Sequence, residues 1–335
     1  MQYRPLGPSG IEASVVGVGT WATGGWMWGG TDEKAATEAI SAAIDAGITL
    51  IDTAPIYGFG RAEEIVGEVI AGRRDKVILA TKCAFVWNKD EGTFIYYAHK
   101  NGVTQEPTDT QVNYSLRPES IRWEVEQSLK RLNTDYIDLL QAHYPDDKTP
   151  VSDTMATLLD LKKEGKIRAI GISNANVDHL KQYCEAGQLD ADQEKYSMLD
   201  RQLDTEQLPY SDEHNVSMLA YSPLALGVLT GKITQEREFP EGDLRKKHRR
   251  FKPDNLKKIN AMLDEFKPIA DRNDFTIAQL VIAWTIMQRG VTHALVGARN
   301  PKHAVENAGA GRHFLGEDDV TAMNQILERH TADIE

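Results

Sequence analysis

The sequence is poor in cysteine. Its 335 residues include 2, Cys83 and Cys184. That excludes a disulfide framework, and neither lies in a Cys-x-x-Cys or paired Cys/His spacing, so no metal site is expected. Positive charge is also in deficit: Lys+Arg number 38 against 50 Asp+Glu, a formal net charge of −12. This is the wrong sign for neutralising nucleic-acid phosphates or for adhering to an anionic membrane surface. No apolar run approaches the roughly 18 residues of a spanning helix. Met1-Gln2-Tyr3-Arg4-Pro5 is not a basic segment leading into an apolar one. No linker rich in proline, glycine or serine divides the chain. These absences point to a cytoplasmic globular protein forming one domain, 1–335, with neither nucleic acid nor membrane as partner. Nothing in the pattern specifies an oligomeric state. With 41% hydrophobic and 26% charged residues, material for a large core is ample.

What the chain does have is alternation. Leu6-Gly7-Pro8-Ser9-Gly10 is a turn sequence between two short extended runs, which predicts a β-hairpin ahead of the main fold. Short apolar runs follow at 15–19, 48–53, 77–82, 136–143, 168–173, 190–193, 217–222 and 294–297. Helical stretches lie between them at 33–46, 62–71, 118–132, 151–165, 177–186, 204–214, 255–272 and 277–289, with 301–308 and 317–330 at the end. Val/Ile/Leu-rich strands separated by helices imply a parallel sheet with helical cover. About eight such units favour an α/β fold of the closed (β/α)8 TIM barrel type over an open doubly wound sheet. The hairpin and the extra C-terminal helices would be additions to it. Two connections, 84–117 and 223–253, exceed the usual loop length of about 15 residues and would overhang the C-terminal face, where barrel active sites sit.

The apolar runs end in polar residues: Asp52, Lys82, His143, Ser173-Asn174, Gln193, Tyr221-Ser222 and Gly297-Ala298-Arg299. One polar residue at a strand end is most often a solvated cap, but successive strand ends of a barrel converge on one mouth. Tyr57 follows Asp52 within a short loop. A tyrosine serves as general acid if its pKa falls from about 10 toward neutrality, which a neighbouring ammonium achieves by stabilising phenolate. Lys82 could supply that ammonium, Asp52 could hold it in place, and His143 could hydrogen-bond a substrate carbonyl. Trp21, Trp26 and Trp87 follow strand ends and are candidate substrate walls. The 88–117 stretch carries Phe94, Tyr96, Tyr97 and Tyr114 among polar residues, as a cover over a polyol or sugar would.

These residues carry a resemblance. Asp52-Thr53-Ala54-x-x-Tyr57-Gly58, Gly60-x-x-Glu63-Glu64 and Thr81-Lys82 resemble the aldo-keto reductase superfamily. So do Leu129-Lys130-Arg131-Leu132-x-x-Asp135-Tyr136-Ile137-Asp138 and Gly165-Lys166-Ile167-Arg168-x-Ile170-Gly171-Ile172-Ser173-Asn174. The likeness runs on through Tyr221-Ser222-Pro223-Leu224, Gly227-x-Leu229-Thr230-Gly231-Lys232 and Gly297-Ala298-Arg299 to Glu306-Asn307. Gly19-Thr20-Trp21-Ala22-x-Gly24-Gly25-Trp26 is similar to a bacterial subgroup that reduces methylglyoxal, glyceraldehyde and related small aldehydes. The resemblance implies an NAD(P)H-dependent oxidoreductase that reduces a small aldehyde, ketone or sugar carbonyl to the alcohol. It makes Tyr57 the acid/base, tuned by Asp52 and Lys82, with His143 orienting the carbonyl. Ser173, Asn174 and Gln193 would hold the nicotinamide carboxamide, and Tyr221 would stack on its ring. Backbone around Leu224, Gly227 and Leu229 would cover the pyrophosphate, with Gly231 and Lys232 close by. Gly297, Arg299, Glu306 and Asn307 would hold the adenosine end, together with His303, where many relatives carry Arg or Gln. Ser197 also departs from the Asn that relatives often have. Arg299 favours NADPH, whose 2′-phosphate suits an arginine fork, with NADH as the other cofactor of the class.

Three other readings compete. Gly17-Val18-Gly19-Thr20-Trp21-Ala22 matches a dinucleotide-binding G-x-G-x-x-A, but no helix follows at once. An aldolase could use Lys82 as a Schiff base if that lysine were desolvated and free of a carboxylate partner. A non-catalytic nucleotide-sensing subunit is the third reading, since relatives serve as channel β-subunits; the complete Asp/Tyr/Lys/His set argues against lost catalysis. The basic run 244–250 reads as a solvated loop near the cofactor phosphates.

Overall fold

The structure, a computed structural model, describes residues 1–87, 89, 91–99, 102–104, 106–108, 110–331 and 334. The hairpin is β1 (Tyr3–Pro5) and β2 (Glu12–Ser14), paired antiparallel. Strands β3 (Val16–Gly19), β4 (Leu50–Asp52) and β5 (Ile78–Cys83) begin the barrel. An insert of β6 (Phe85–Trp87), β7 (Thr93–His99), β8 (Gly102–Thr104) and β9 (Thr110–Tyr114) follows. The barrel then resumes with β10 (Ile137–Ala142), β11 (Ile167–Ser173), β12 (Ala191–Lys195), β13 (Ser217–Tyr221) and β14 (Val291–Val296), and β14 pairs with β3 to close it, all in parallel. Helices α1 (Glu33–Asp45), α2 (Arg61–Ile70), α3 (Pro118–Leu132), α4 (Val151–Lys163), α5 (Val177–Ala186) and α6 (Gln207–Glu213) cover the first six barrel strands in turn. Then come α7 (Pro253–Arg272), α8 (Ile277–Ile286), α9 (Pro301–Gly309) and α10 (Glu317–His330). The expected (β/α)8 barrel, its N-terminal hairpin and its added C-terminal helices are all present. No helix among the described residues is long and apolar enough to cross a membrane.

Strand alternation explains how the barrel carries both a core and a site. One inward layer is Leu50, Ala80, Leu139, Ala169, Ala191, Leu219 and Leu295, closed from below by Leu6, Ile11 and Ala13 of the hairpin segment. The hairpin is tied there by Gly7 N–H donating to Ser217 Oγ at 2.8 Å. Successive side chains point to opposite faces, so the next inward positions are Asp52, Lys82, Gln141, Gly171, Gln193 and Tyr221. A Cβ on Gly171 would stand 2.8 Å from Gln141 Cγ, so glycine makes room for that amide. The outward residues, among them Ile51, Leu79, Leu140, Ile170 and Ile172, pack under the helices.

Three expectations change. The 84–117 connection is mostly sheet, a four-stranded antiparallel unit in the order β6-β9-β7-β8. Thr93–His99 is dominated by aromatic and β-branched residues, a strand composition; Asn88, where the loop reading began, lies outside the described residues. The 204–214 helix starts later, at Gln207, because the Asp204 carboxylate is engaged by the Tyr196 hydroxyl and Arg201 Nε, each at 2.6 Å. The basic run is not solvated throughout: Arg245 and Arg250 are buried, bound to Asp243 at 2.6 Å and Asp200 at 2.7 Å.

Behind Lys82, the buried Glu63 of α2 accepts Thr81 Oγ1 and Arg131 Nε, both at 2.7 Å, locking β5 to α2 and α3. Removing one partner of a buried pair strands the other charge at about 3–5 kcal/mol. Arg131→Met should therefore lower the unfolding free energy by about 3 kcal/mol in urea titration. Arg61→Met, which breaks exposed pairs with Glu33 and Glu64, should cost less than about 1 kcal/mol.

Candidate active site

The centre of the mouth is the buried Asp52 carboxylate. Lys82 Nζ donates to Asp52 Oδ1 and Oδ2 at 2.9 and 2.7 Å and to the Thr53 carbonyl at 3.0 Å. Oδ1 also accepts Gln193 Nε2 at 2.7 Å and Gln141 Nε2 at 3.2 Å. Burial lowers the Lys82 pKa while Asp52 opposes that shift. Its three-contact, carboxylate-bound setting is that of a held ammonium, not of a free nucleophilic amine, which disfavours the Schiff-base reading.

Tyr57 sits on the loop after β4, held by a close backbone approach. A Cβ on Gly24 would lie 2.6 Å from the Tyr57 carbonyl carbon, and one on Gly58, at φ +65, would lie 2.4 Å from Gly24 O. Two glycines thus let the 20–30 segment clamp the tyrosine. Its ring stands perpendicular to that of His143 at 5.9 Å, and Lys82 Nζ is 5.2 Å from its centroid. The expected lowering of the Tyr57 pKa is not what this arrangement produces. Burial, and after it the charge of the adjacent Asp52, hold the phenol well above its ordinary value. The side chain still opens partly onto the cavity, and the site holds a protonated phenol. His143 is kept neutral, its pKa pushed well below the usual range by burial and by Lys82. Phe85 and Tyr144 pack against its ring at 4.9 and 5.6 Å.

Beyond β11, Asn174 adopts φ 54. Its Nδ2 donates to the His143 carbonyl at 2.9 Å and to Ser173 Oγ at 3.1 Å, and its Oδ1 accepts the Tyr221 hydroxyl at 2.8 Å. Ser173 Oγ donates to Gln193 O at 2.7 Å. A cavity of about 640 Å³ runs from Asp52, Tyr57 and His143 past Ser173, Asn174, Gln193 and Tyr221 to a second cluster at its far end. There Lys232 Nζ bonds Glu306 at 2.6 and 2.8 Å, and Asn307 Nδ2 donates to Gly297 O at 3.2 Å. Trp28 lies between Arg245 and Arg299, whose guanidinium carbons are 5.1 and 5.2 Å from its ring. Its buried indole N–H has no hydrogen-bond partner among the described residues.

Most residues singled out from the sequence meet in this cavity. Leu224, Gly227, Gly297, Arg299, His303, Glu306 and Asn307 line it, as do Trp21 and Trp26. Lys82 stands behind Asp52. Leu229 is buried in the core beneath, and Gly231 lies against Ile277. Trp87 is outside the cavity lining: it packs edge-on against Phe59 at 5.7 Å, with Arg131 5.9 Å above its ring. Tyr96, read from the sequence as part of a substrate cover, lines the cavity, whereas sequence reasoning missed Gln141, Phe85 and Tyr144. Gln141 had a signal, a polar residue two positions before His143 and so on the same strand face; the aromatic residues had none.

The aldo/keto reductase family model matches residues 15–328. The chain belongs to the aldo/keto reductase family. It is 40% identical to an NADH-specific methylglyoxal reductase of Escherichia coli, over 98% of this chain and 99% of the relative. It is 39% identical to the aldo-keto reductase YhdN of Bacillus subtilis, over 99% and 96%. The solved glycerol dehydrogenase AKR11B4 of Gluconobacter oxydans superposes with a TM-score of 0.85 at 37% identity, covering 99% of this chain and 96% of that one. This aldo/keto reductase is an NAD(P)H-dependent oxidoreductase.

The reductase carries its site histidine uncharged, with a stability consequence. Below about pH 6.5 the unfolded chain binds a proton at His143 that the folded chain refuses, so stability falls as pH drops. Between pH 7 and pH 5 this contributes a loss of about 2 kcal/mol, and buried His293, pushed down to about 4, adds a loss of the same sign. Urea unfolding of His143→Gln at both pH values should show that slope reduced by about 2 kcal/mol.

Proposed function

We propose that this enzyme reduces small aldehydes, ketones or sugar carbonyls, with Tyr57 as proton donor. The observation that carries the reading is the convergence of a protonated phenol, a neutral imidazole and the Asp52–Lys82 pair at one end of an elongated cavity. Cavities of about 300–1,000 Å³ suit cofactor-sized ligands, and the Trp28 N–H beside Arg299, without a partner among the described residues, is a donor left for a ligand. A dinucleotide fits this set. Ser173, Asn174 and Gln193 would hold its carboxamide, Tyr221 its ring face, and Lys232, Glu306 and Asn307 its adenosine end. When bound there, the nicotinamide supplies hydride to the carbonyl carbon.

The chain's own groups do the rest. The Tyr57 hydroxyl and His143 both face the place for the carbonyl oxygen, and the phenol gives up its proton as that oxygen gains charge. The Lys82 ammonium, fixed by Asp52, then stabilises the phenolate left behind. Trp21, Trp26, Phe85, Tyr96 and Tyr144 form an aromatic wall that stacks on substrate C–H faces and restricts water. A relative named for methylglyoxal and a structural neighbour named for glycerol support small oxygen-rich substrates.

Preference for NADPH is part of the proposal. Arg299 Nη2 donates to the Trp28 carbonyl at 3.0 Å and lies 3.9 Å from Asp243, itself held in a bidentate pair with Arg245 at 2.6 and 2.9 Å, so the other N–H groups of the exposed Arg299 guanidinium would take the phosphate.

Two experiments test this function. Tyr57→Phe should lower kcat by at least about 10²-fold over an aldehyde and aldose panel while leaving cofactor affinity intact; near-full turnover would overturn the role of Tyr57. Arg299→Ala should raise the KM for NADPH at least about tenfold, the loss of one charge-assisted contact, and leave NADH nearly unchanged. Equal losses with both cofactors would assign Arg299 to another contact.

A further inference from the structure

Outside the cavity, on the face of β12 opposite Gln193, stand two carboxyl groups that the mechanism does not use. Asp192 and Glu194 are two residues apart on one strand face and both are buried. Gln207 Nε2 donates to Asp192 Oδ2 at 2.8 Å, while Asp192 Oδ1 has no hydrogen-bond donor among the described residues. Glu194 Oε1 accepts Ala175 N–H at 2.6 Å, and Gln207 Nε2 also donates to Ala175 O at 3.2 Å. Both backbone polar groups of Ala175 are thus tied to this cluster, and Ala175 follows Asn174, whose side chain joins His143 to Tyr221.

A buried carboxylate oxygen without a donor is costly. A proton on the neighbouring Glu194 removes that cost, because Glu194 then donates to Asp192 Oδ1 while its other oxygen still receives Ala175 N–H. Two adjacent carboxylates in a low-dielectric site cannot both ionise cheaply. We propose that Asp192 and Glu194 share one proton and form a brace that positions Asn174 for the cofactor carboxamide, an inference that rests on the reading of Asn174 given above. Burial raises both pKa values, and each group's charge opposes ionisation of the other. The titratable groups facing the pair are Tyr144 before α4, Tyr221 on β13 and Cys184 on α5, each kept neutral by burial. Lys195, next along β12, is taken by Asp200 at 2.9 Å. Loss of the shared proton at alkaline pH places two negative charges side by side, pushes Glu194 off Ala175 and loosens Asn174.

Glu194→Gln tests the brace because an amide copies the protonated acid: its NH₂ reaches Asp192 and its oxygen keeps Ala175 N–H. Difference infrared spectroscopy of the wild-type protein at pH 7 should show the carbonyl stretch of a buried protonated carboxylic acid that is missing in Glu194→Gln. If no such band is lost, the shared proton is refuted whatever the cofactor does. NADPH dissociation constants, read by tryptophan fluorescence, should rise about twofold from pH 7 to pH 10 in the wild type, where Glu194, pushed up to about 10, has lost half of its protons. Glu194→Gln should match wild type within twofold at pH 7 and lose that rise, and Glu194→Ala should bind at least tenfold more weakly at both pH values. A parallel rise in Glu194→Gln would overturn the brace. If Asn174→Ala weakens binding and Glu194→Ala does not, the brace alone fails; if Asn174→Ala has no effect, the role assigned to Asn174 fails with it.

Discussion

The carboxylate of Asp52 is the constraint on which the mouth depends. It is buried, and a buried carboxylate is tolerated only when it is paired and hydrogen-bonded. Lys82 from β5, Gln141 from β10 and Gln193 from β12 all donate to it, so one charge on β4 fixes the side chains of three other strands. The amides then have one arrangement open to them, with Gln193 Nε2 also 3.1 Å from Gln141 Oε1. The cost of burying the charge is offset by a geometry that leaves the mouth rigid before any ligand arrives.

The same alternation that packs the barrel also keeps its polar groups apart. Inward residues become polar one step above the Leu/Ala layer, while outward residues meet the helices. Buried acidic residues outside the barrel act as fastenings: Glu63 of α2 through Thr81 and Arg131, Glu124 of α3 through the Ala84 N–H, and Glu194 on the outer face of β12 through the Ala175 N–H. Each engages the end of a strand that presents a site residue on its other face. Glu124 is held near a pKa of about 8 by burial, and Ala84, whose N–H it grips, has the unusual φ of 106. Backbone strain of this kind persists where surrounding contacts over-determine it.

The two ends of the cavity differ in electrostatic character. At the carbonyl end, burial keeps phenol and imidazole neutral, so polarisation comes from oriented hydrogens around a single ion pair. At the other end, Lys232 meets Glu306 and Arg299 is exposed, where charges attract anions, while Arg245 is buried against Asp243. An elongated ligand, anionic at one end and reactive at the other, matches that gradient.

The sequence alone determined the architecture and the composition of the mouth. Hydrophobic period and strand-end polarity are local properties, and they place Asp52, Lys82, His143, Ser173 and Tyr221 at one rim once the barrel is inferred. Helix 317–330 emerged with its bounds intact because its pattern is strongly amphipathic. Tertiary structure alone decided the rest. The 84–117 insert became a sheet because its strands pair with one another, β7 with β9 in particular. Trp87 turned away from the cavity because Phe59 and Arg131 offered it a packing site. The Tyr57 proton stayed on because burial and the Asp52 charge disfavour the phenolate. Such outcomes depend on distance, burial and competition between partners far apart in the chain, and a linear pattern encodes none of these directly.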